Sequence, residues 1–380
     1  MVATGDTMPD ELIAPDFDAA ETDVISVRRL MWLRFKRNRL ALIGSIVLVL
    51  MYLAAVFAGF IGPYGLRETH EKFPASAPLL PRFIDDEGRF SLRPFVYAME
   101  SKVDTKTFKR VLTPNTEVKH YLHFFARGTP YTILGFIQTD IHLFHVNEPA
   151  KVFLLGTDKQ GRDLFSRIFY GAQVSLTVGL VGVSLSLIFG TLIGIAGGYF
   201  GGLFDDVSQR VIEVLISFPQ IPLWLALAAL IPPTWTSAQR FFAISIVLSL
   251  VNWGGLSRQV RGMVYALREE DYVIAARYAS ASNWRIITKH LLPNTLSHIL
   301  VIATISIPAM ILGETALSFL GLGIQPPMTS WGLLLNQAQH TRVLIQQPWL
   351  LTPALFVVAT IISFNFLGDG LRDAADPFAN

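Results

Sequence analysis

The sequence predicts an all-α polytopic membrane protein with six transmembrane helices and a small β-rich extracytoplasmic insert. The mean hydropathy is +0.45, and charged residues make up 16% of the 380 residues, against roughly 25% in soluble domains. Six apolar stretches approach or exceed the roughly 20 residues that cross a bilayer. One long charged stretch with strand-like alternation separates the first apolar stretch from the other five.

The basic segment at residues 28–39 sets the orientation of the chain. Basic flanks stay in the cytoplasm, so we expect the N-terminus inside, and six spans return the C-terminus to the same side. The basic segment itself is either an amphipathic helix on the inner surface or a solvated flank. The first span is Leu40–Gly62, and the others lie near 170–200, 207–231, 241–260, 298–323 and 349–367.

The chain divides into four parts by composition. Within the insert, Asp86–Gly88 reads as a turn that leads into a strand. The predicted parts are a disordered cytoplasmic tail at 1–27, the basic segment with the first span at 28–62, the extracytoplasmic insert at 63–155, and a core with five transmembrane helices at 156–380, whose loop 262–297 is cytoplasmic.

Several functions are disfavoured by what the sequence lacks. No phosphate-binding G-x-x-x-x-G-K-[ST] loop, zinc helix or nucleophile elbow is present, so no catalytic residue is predicted. The net charge of +2 gives no reason to expect nucleic acid. His120 with His123, and His142 with His145, suggest a metal site, but residues three apart on a strand point to opposite faces, and no metal is predicted.

Glu314 lies inside an apolar run, and Met310 precedes it by four residues. An ionisable residue at membrane depth faces protein or water and is a functional candidate. Glu314 is therefore either a polar contact between helices or the proton or ion site of an ion-coupled secondary transporter. Both residues are candidates for lining a translocation path.

The segment from Asp271 to Asn294 carries a regular pattern between two spans. It predicts two short helices, Asp271–Ala279 and Ser282–Leu292, with Ser282 as N-cap and Pro293 discouraging continuation. Such helices, apolar on one side and basic on the other, suit either a groove in a soluble partner or the lipid surface. Helical spacing places on one face the residues Tyr272, Ala275, Ala276 and Ala279.

This segment resembles the EAA loop of binding-protein-dependent ABC importers. Two positions depart from the family pattern: Ile274 stands where Glu is usual, and Ser280 where Gly is usual, so the turn must form without glycine's freedom at positive φ. The resemblance implies ATPase-coupling roles for Tyr272, Ala275, Ala276, Arg277, Ala279, Ser280, Ile286, Leu292 and Pro293.

A second stretch, GTDKQGRDLFSRIFYGAQVSL (Gly156–Leu176), resembles the entry to the second span in the dipeptide and oligopeptide permease C-subunit family. Gln173 replaces the usual Arg. The resemblance covers about residues 28–62 and 152–377 and says little about the insert. The matching residues of this outer-face motif are Gly156, Thr157, Asp158, Gly161, Arg162, Asp163, Ser166 and Arg167.

The resemblance implies the type I ABC importer permease fold in a bacterial cytoplasmic (inner) membrane, with both termini cytoplasmic. The chain would be a transport subunit without a cofactor of its own. It would pair with a homologous B-type permease and with two ABC ATPase subunits, which would bind ATP and Mg. An extracytoplasmic solute-binding protein would deliver peptides, nickel chelates, opines or oligosaccharides. The ion-coupled transporter using Glu314 is the alternative.

Overall fold

The structure is a computed structural model that describes residues 27–103 and 110–375. All but the last residue of the tail predicted to be disordered lies outside these ranges. The helices are α1 Val27–Arg37, α2 Arg39–Val56, α3 Ala58–Ile61, α4 Leu164–Phe200, α5 Gly202–Ser217, α6 Gln220–Ala228, α7 Ser237–Leu267, α8 Asp271–Tyr278, α9 Asn283–Ile286, α10 Leu292–Phe319, α11 Trp331–Asn336, α12 Thr341–Gln346 and α13 Thr352–Ala375. The strands are β1 Arg82–Ile84, β2 Phe90–Val103, β3 Arg110–Ile133 and β4 Ile137–Val146.

Within the described residues, five helical segments are long and apolar enough to cross a membrane. The sixth candidate lies in the region of the span predicted near 207–231 and is broken, because α5 and α6 meet at 93°. The break lies at Phe218, which has ψ 139° and precedes Pro219. A residue before proline is pushed out of the helical region, and this ends α5. The five segments are Arg39–Val56, Leu164–Phe200, Ser237–Leu267, Asn283–Phe319 and Pro348–Ala375.

Helices α4 and α7 pack along a row of glycines and run parallel. A Cβ on Gly190 would lie 2.9 Å from the carbonyl oxygen of Trp253, and one on Gly194 would lie 2.6 Å from that of Ser257. Small residues four apart let helix backbones approach closely. Because two consecutive long helices point the same way, the bent α5–α6 pair has to return the chain across the membrane. The described residues therefore supply six candidate crossings, with the bent pair counted as one.

The remaining spans close the bundle around the α4–α7 pair. Helix α10 is antiparallel to α4, with Ile311 against Gly179 and Glu314 against Ser175. Helix α13 covers α2, where a Cβ on Gly44 would lie 2.6 Å from the carbonyl oxygen of Ser363. A shared apolar core between these helices is centred on residues such as Trp331, Leu248, Ile168, Met310 and Leu350.

The loop 262–297 differs from its prediction in the extent of its second helix. The second short helix does not stop before Pro293: α9, a π-helical turn at Ile287–Leu291 and α10 form one continuous helix. Proline cannot donate a backbone hydrogen bond, and its ring crowds the preceding turn. The N–H of Leu292 bonds to the carbonyl of Ile287, five residues back, and this wider turn immediately precedes the proline.

The insert forms one antiparallel sheet in the order β1-β2-β3-β4, which confirms the β-rich insert. Its β3–β4 hairpin packs against the outer end of the first span: a Cβ on Gly59 would overlap the ring of Tyr131. The Nδ1 of His142 lies 2.6 Å from the carbonyl oxygen of Gly62, so the sheet is fixed to α3 by both packing and hydrogen bonding.

Candidate functional site

The loop 262–297 is anchored by an apolar inner side. Val273, Ile286 and Leu291 are fully buried and pack with residues of α4, α7 and α10. The Tyr199 hydroxyl lies 2.8 Å from Oδ1 of Asn283, and the Arg277 guanidinium lies 5.4 Å from the centre of the Tyr199 ring. These contacts hold α8 and α9 rigidly against the inner ends of the spans.

The outer side of the loop exposes small and aromatic residues among polar and charged ones. Tyr272, Ala275 and Ala279 are exposed. Two larger aromatics are more exposed still: Tyr278 at 87% and Trp284 at 75%. Aromatic side chains are enriched at protein–protein interfaces relative to the rest of the surface.

Not every coupling residue that the resemblance implies lies on that outer side. Ala276 is half-buried and packs on the inner cluster, so the single face predicted from its spacing with Ala275 is wrong. Ile286 is fully buried, and Leu292 is half-buried in the same cluster. These three side chains position the loop, whereas Pro293 is exposed.

Tyr278 and Trp284 were missed by the sequence reasoning. They flank the small residues of the turn, and their sequence neighbours are polar or small rather than apolar. The sequence did carry a signal for them: both aromatics lie outside the apolar side of their helices. An aromatic side chain at such a position does not pack in the protein's own core, which indicates contact with another molecule.

Ser280 shows how the loop turns without glycine. Its φ is +57°, a left-handed conformation that costs a non-glycine residue roughly 1–2 kcal/mol. The N–H of Ser280 bonds to the carbonyl of Arg277, and the N–H of Ala281 to that of Ala276. This is a Schellman ending of α8, so the positive φ that glycine would supply is adopted by serine.

We expect Ser280→Gly to raise the thermal stability of the protein. Glycine adopts positive φ without the Cβ clash, and the gain should be about 1 kcal/mol. Ser280→Val is the matched control, because a β-branched side chain is strained there and should lower the unfolding temperature. Tryptophan fluorescence on heating in detergent measures both. Equal temperatures for all three proteins would contradict a strained turn.

The outer-face motif forms a buried polar cluster at the start of α4. The carboxylate of Asp158 accepts from Arg167 Nη1 at 2.5 Å and from Arg162 Nε at 2.8 Å. It also accepts from the backbone N–H groups of Gln160 and Arg162. Asp158 and Arg167 are both 2% exposed, so this is a buried ion pair rather than a surface contact.

The rest of the motif joins distant segments to this pair. Thr157 Oγ1 donates to the carbonyl of Phe73 and accepts from the N–H of Ser76, while its own carbonyl accepts from Trp349 Nε1. Gly161 has φ +73°, and a Cβ there would lie 2.3 Å from the carbonyl oxygen of His70. Gly156 is similarly enclosed, with φ +73°. The motif therefore ties the insert to the membrane core.

Asp163 begins α4 as its N-cap. Its Oδ2 accepts from the N–H and the hydroxyl of Ser166 at 2.7 and 2.6 Å. Burial raises the pKa of the Asp163 carboxyl to about 6, and the hydrogen bonds from Ser166 oppose that rise. Ser166 also accepts from the N–H of Tyr64, which connects the cap to the chain leaving α3.

Glu314 is fully buried between α4 and α10. Its carboxylate accepts from Ser175 Oγ at 2.9 Å and from Ser318 Oγ at 2.6 Å. The two hydroxyls in turn accept from the backbone N–H groups of Trp331 and Ile324. Glu314 thus links α4, α10 and the segment before α11, which is the arrangement of a polar contact between helices.

Met310 faces a different environment from Glu314. It borders a cavity of about 190 Å³ between α4, α7 and α10, with Ser186, Asn252 and Ser306 on the same wall. Its sulfur lies 3.4 Å from Asn252 Nδ2. A second cavity of about 570 Å³ opens at the inner end of the bundle beside Gln259. Of the two path candidates, Met310 therefore lines one of these two cavities and Glu314 lines neither.

Comparisons with known proteins agree with this architecture. Residues 190–379 match the family described as "Binding-protein-dependent transport system inner membrane component", and residues 26–81 match "N-terminal TM domain of oligopeptide transport permease C". The dipeptide transport system permease protein DppC of Bacillus subtilis (strain 168) is 41% identical over 230 residues, which are 60% of this chain and 70% of that protein. The oligopeptide transport system permease protein OppC of the same organism is 29% identical over 366 residues, 95% of this chain and 94% of the relative.

Among solved structures, the MetNI methionine ABC transporter in an inward-facing conformation matches with a TM-score of 0.40 and 18% identity, covering 55% of this chain and 96% of that one. The family matches and the several apolar helices define the chain as a membrane transport component. The chain belongs to the family of binding-protein-dependent transport system inner membrane components. It is a permease subunit of an ABC importer, a transport component rather than an enzyme, and the ion-coupled alternative is not favoured.

Proposed function

We propose that this chain forms half of a peptide translocation path. The other half is a homologous B-type permease, and two ABC ATPase subunits bind ATP and Mg on the cytoplasmic side. A solute-binding protein delivers the cargo outside. The names of the relatives, which are dipeptide and oligopeptide permeases, support peptides as the cargo class over nickel chelates, opines or oligosaccharides.

The observation that carries this proposal is the continuity of one helix from the loop to the cavity. Asn283–Phe319 is a single helical segment. Trp284 is exposed near its inner end, and Met310 borders the cavity between the spans. A helix rises 1.5 Å per residue, so these two residues lie about 39 Å apart along one continuous helical segment. A docked ATPase that moves its inner end also moves the wall of the path.

The proposed coupling surface is the exposed side of the loop, which comprises Tyr272, Ala275, Tyr278, Ala279 and Trp284. Arg277, Ser280 and Pro293 lie at its edges. Ala276, Ile286 and Leu292 act from beneath as anchors for α8 and α9. In this arrangement the ATPase meets a preformed surface and orders little of it on binding, which lowers the entropic cost of docking.

The proposed orientation places both termini and the loop 262–297 in the cytoplasm and the insert 63–155 outside. Because the chain has no cysteine, single cysteines report sidedness directly. We expect Asp86→Cys and Lys289→Cys, both at exposed positions, to react with a membrane-impermeant maleimide from opposite sides in intact cells and inverted vesicles. Labelling of both positions from one side would refute the orientation.

Transport should depend on ATP and not on an ion gradient. In proteoliposomes holding the complete transporter, we expect ATP supplied on the cytoplasmic side to sustain uptake when a protonophore collapses the proton gradient. Glu314 is held by serine hydroxyls and borders neither the cavity beside Met310 nor the one beside Gln259, so no ion site is needed. Loss of uptake with the protonophore at unchanged ATP would instead favour ion coupling.

A further inference from the structure

The tip of the β3–β4 hairpin carries large exposed apolar side chains. Leu134 is 62% exposed and Phe136 is 72% exposed, and Ile137 beside them is also exposed. Residues 128–139 contain no charged side chain, although the rest of the insert is rich in charges. Surface apolar residues that cluster in this way mark an interaction surface.

Contacts with the first span give the depth of this tip. Thr129 bonds to Glu68 beyond the outer end of the span. Two residues further along β3, Tyr131 is level with Gly59. Beyond it, the strand continues in the same direction, and Ile133 and Ile137 share a groove with residues of α2. Each step along β3 therefore leads deeper beside the span.

The groove lies at membrane depth. About 20 residues cross the hydrocarbon core, so counting from Leu40 the core ends near Gly59. At 1.5 Å per residue, Leu53 and Leu50 lie about 9 and 14 Å inside that boundary. Both line the groove with the two hairpin isoleucines, and its volume is about 760 Å³.

The groove is continuous with the lipid-facing side of the first span. Ile43, Ile46, Leu50, Leu53 and Phe57 are exposed along α2 and form one apolar stripe at helical spacing. The stripe enters the groove at Leu50. No polar residue separates the stripe from the groove. The molecules that cover the stripe in the membrane therefore also reach the groove.

We propose that the hairpin tip is inserted into the outer leaflet of the membrane and that phospholipid acyl chains fill the groove between the tip and α2. Backbone groups exposed to hydrocarbon are costly, which limits insertion to the turn. There the N–H of Phe136 bonds to the carbonyl of Ile133. The insert is thus held at the membrane by a second contact, independent of the covalent connections at its two ends.

A fluorescence experiment tests this directly. Phe136→Cys and, separately, Leu134→Cys are labelled with an environment-sensitive nitrobenzoxadiazole dye in the full chain, co-expressed with its partner permease. The protein is reconstituted in vesicles of phosphatidylcholine and phosphatidylglycerol. Val118→Cys is the matched control, because Val118 is an exposed apolar residue on the same strand, 15 residues before the last residue of β3, Ile133.

At both tip positions we expect blue-shifted emission, quenching by doxyl-labelled phosphatidylcholine, and loss of quenching by aqueous iodide. The control should show the reverse. Iodide quenching at the tip equal to that at Val118 would overturn the proposal. Shielding of the tip from both quenchers would also overturn it, because the groove would then be covered by protein, such as the partner permease, rather than by lipid.

Discussion

Trp284→Ala is expected to abolish most recruitment of the ATPase subunits while leaving the permease folded. Large exposed aromatics at the centre of an interface commonly contribute about 2 kcal/mol or more, which is about a 30-fold rise in dissociation constant. The side chain is 75% exposed, so its removal leaves no cavity. Pull-down of the ATPase subunits from membranes, with transport assayed in parallel, measures the effect.

The chain offers a matched control for this substitution. Trp235 is also exposed, but it precedes α7 at the opposite end of the bundle. Trp235→Ala should leave ATPase recruitment unchanged. If Trp284→Ala retains full recruitment and full transport, the outer side of the loop faces lipid or solvent, and the proposed coupling surface is wrong.

Ala276 illustrates why the exposed residues are the better test. Helical spacing places it with Ala275 on one face, yet α8 turns Ala276 toward Val273 and the inner cluster. A charge at position 276 would therefore disturb the anchoring of α8 as well as any docking. Substitution of Trp284 avoids this ambiguity, because the loop's own packing does not depend on it.

Elements that depend on the length of an apolar run were predicted from the sequence. Elements that depend on a backbone angle or on packing were not. Five spans could be recognised because an apolar run of bilayer length is rare outside transmembrane helices. The α5–α6 pair was predicted as one span near 207–231, because hydropathy does not register the backbone angle at Phe218 and Pro219. The continuity of the helix through Pro293 was missed because the compensating π-helical turn depends on packing of Ile286 and Leu291 beneath it.

The sequence predicted which segment forms the candidate site. It did not predict which residues of that segment are exposed. The EAA-like pattern located the loop, whereas the division into anchors and exposed residues depends on how α8 is rotated against α4 and α7. Ser280 is a further case: the sequence shows that glycine is absent, and only the backbone shows that serine adopts φ +57°. The rule that a positive φ requires glycine fails here, because packing of residues before and after Ser280 fixes the turn.

Arg167→Met is expected to destabilise the whole permease. It would leave the buried Asp158 carboxylate without its shortest charged partner, and breaking a buried pair in this way costs about 3–5 kcal/mol. The same cluster joins the insert to α4, so the loss of stability should affect both the insert and the helical bundle. A lower unfolding temperature in detergent and reduced co-purification with the partner permease are the measurements.

Two further variants separate the effect of losing a charge from the effect of losing side-chain packing at Arg167. Arg162→Met removes the other cation on Asp158, but Arg162 is more exposed than Arg167, and a smaller loss is expected. The double variant Asp158→Asn with Arg167→Met removes both charges, and asparagine still accepts from the N–H groups of Gln160 and Arg162. It should recover part of the stability lost in Arg167→Met, since the buried carboxylate is gone and the remaining cation, Arg162, is partly exposed. If the double variant loses as much stability as Asp158→Asn and Arg167→Met lose in sum, the motif holds the fold by packing and not through its ion pair.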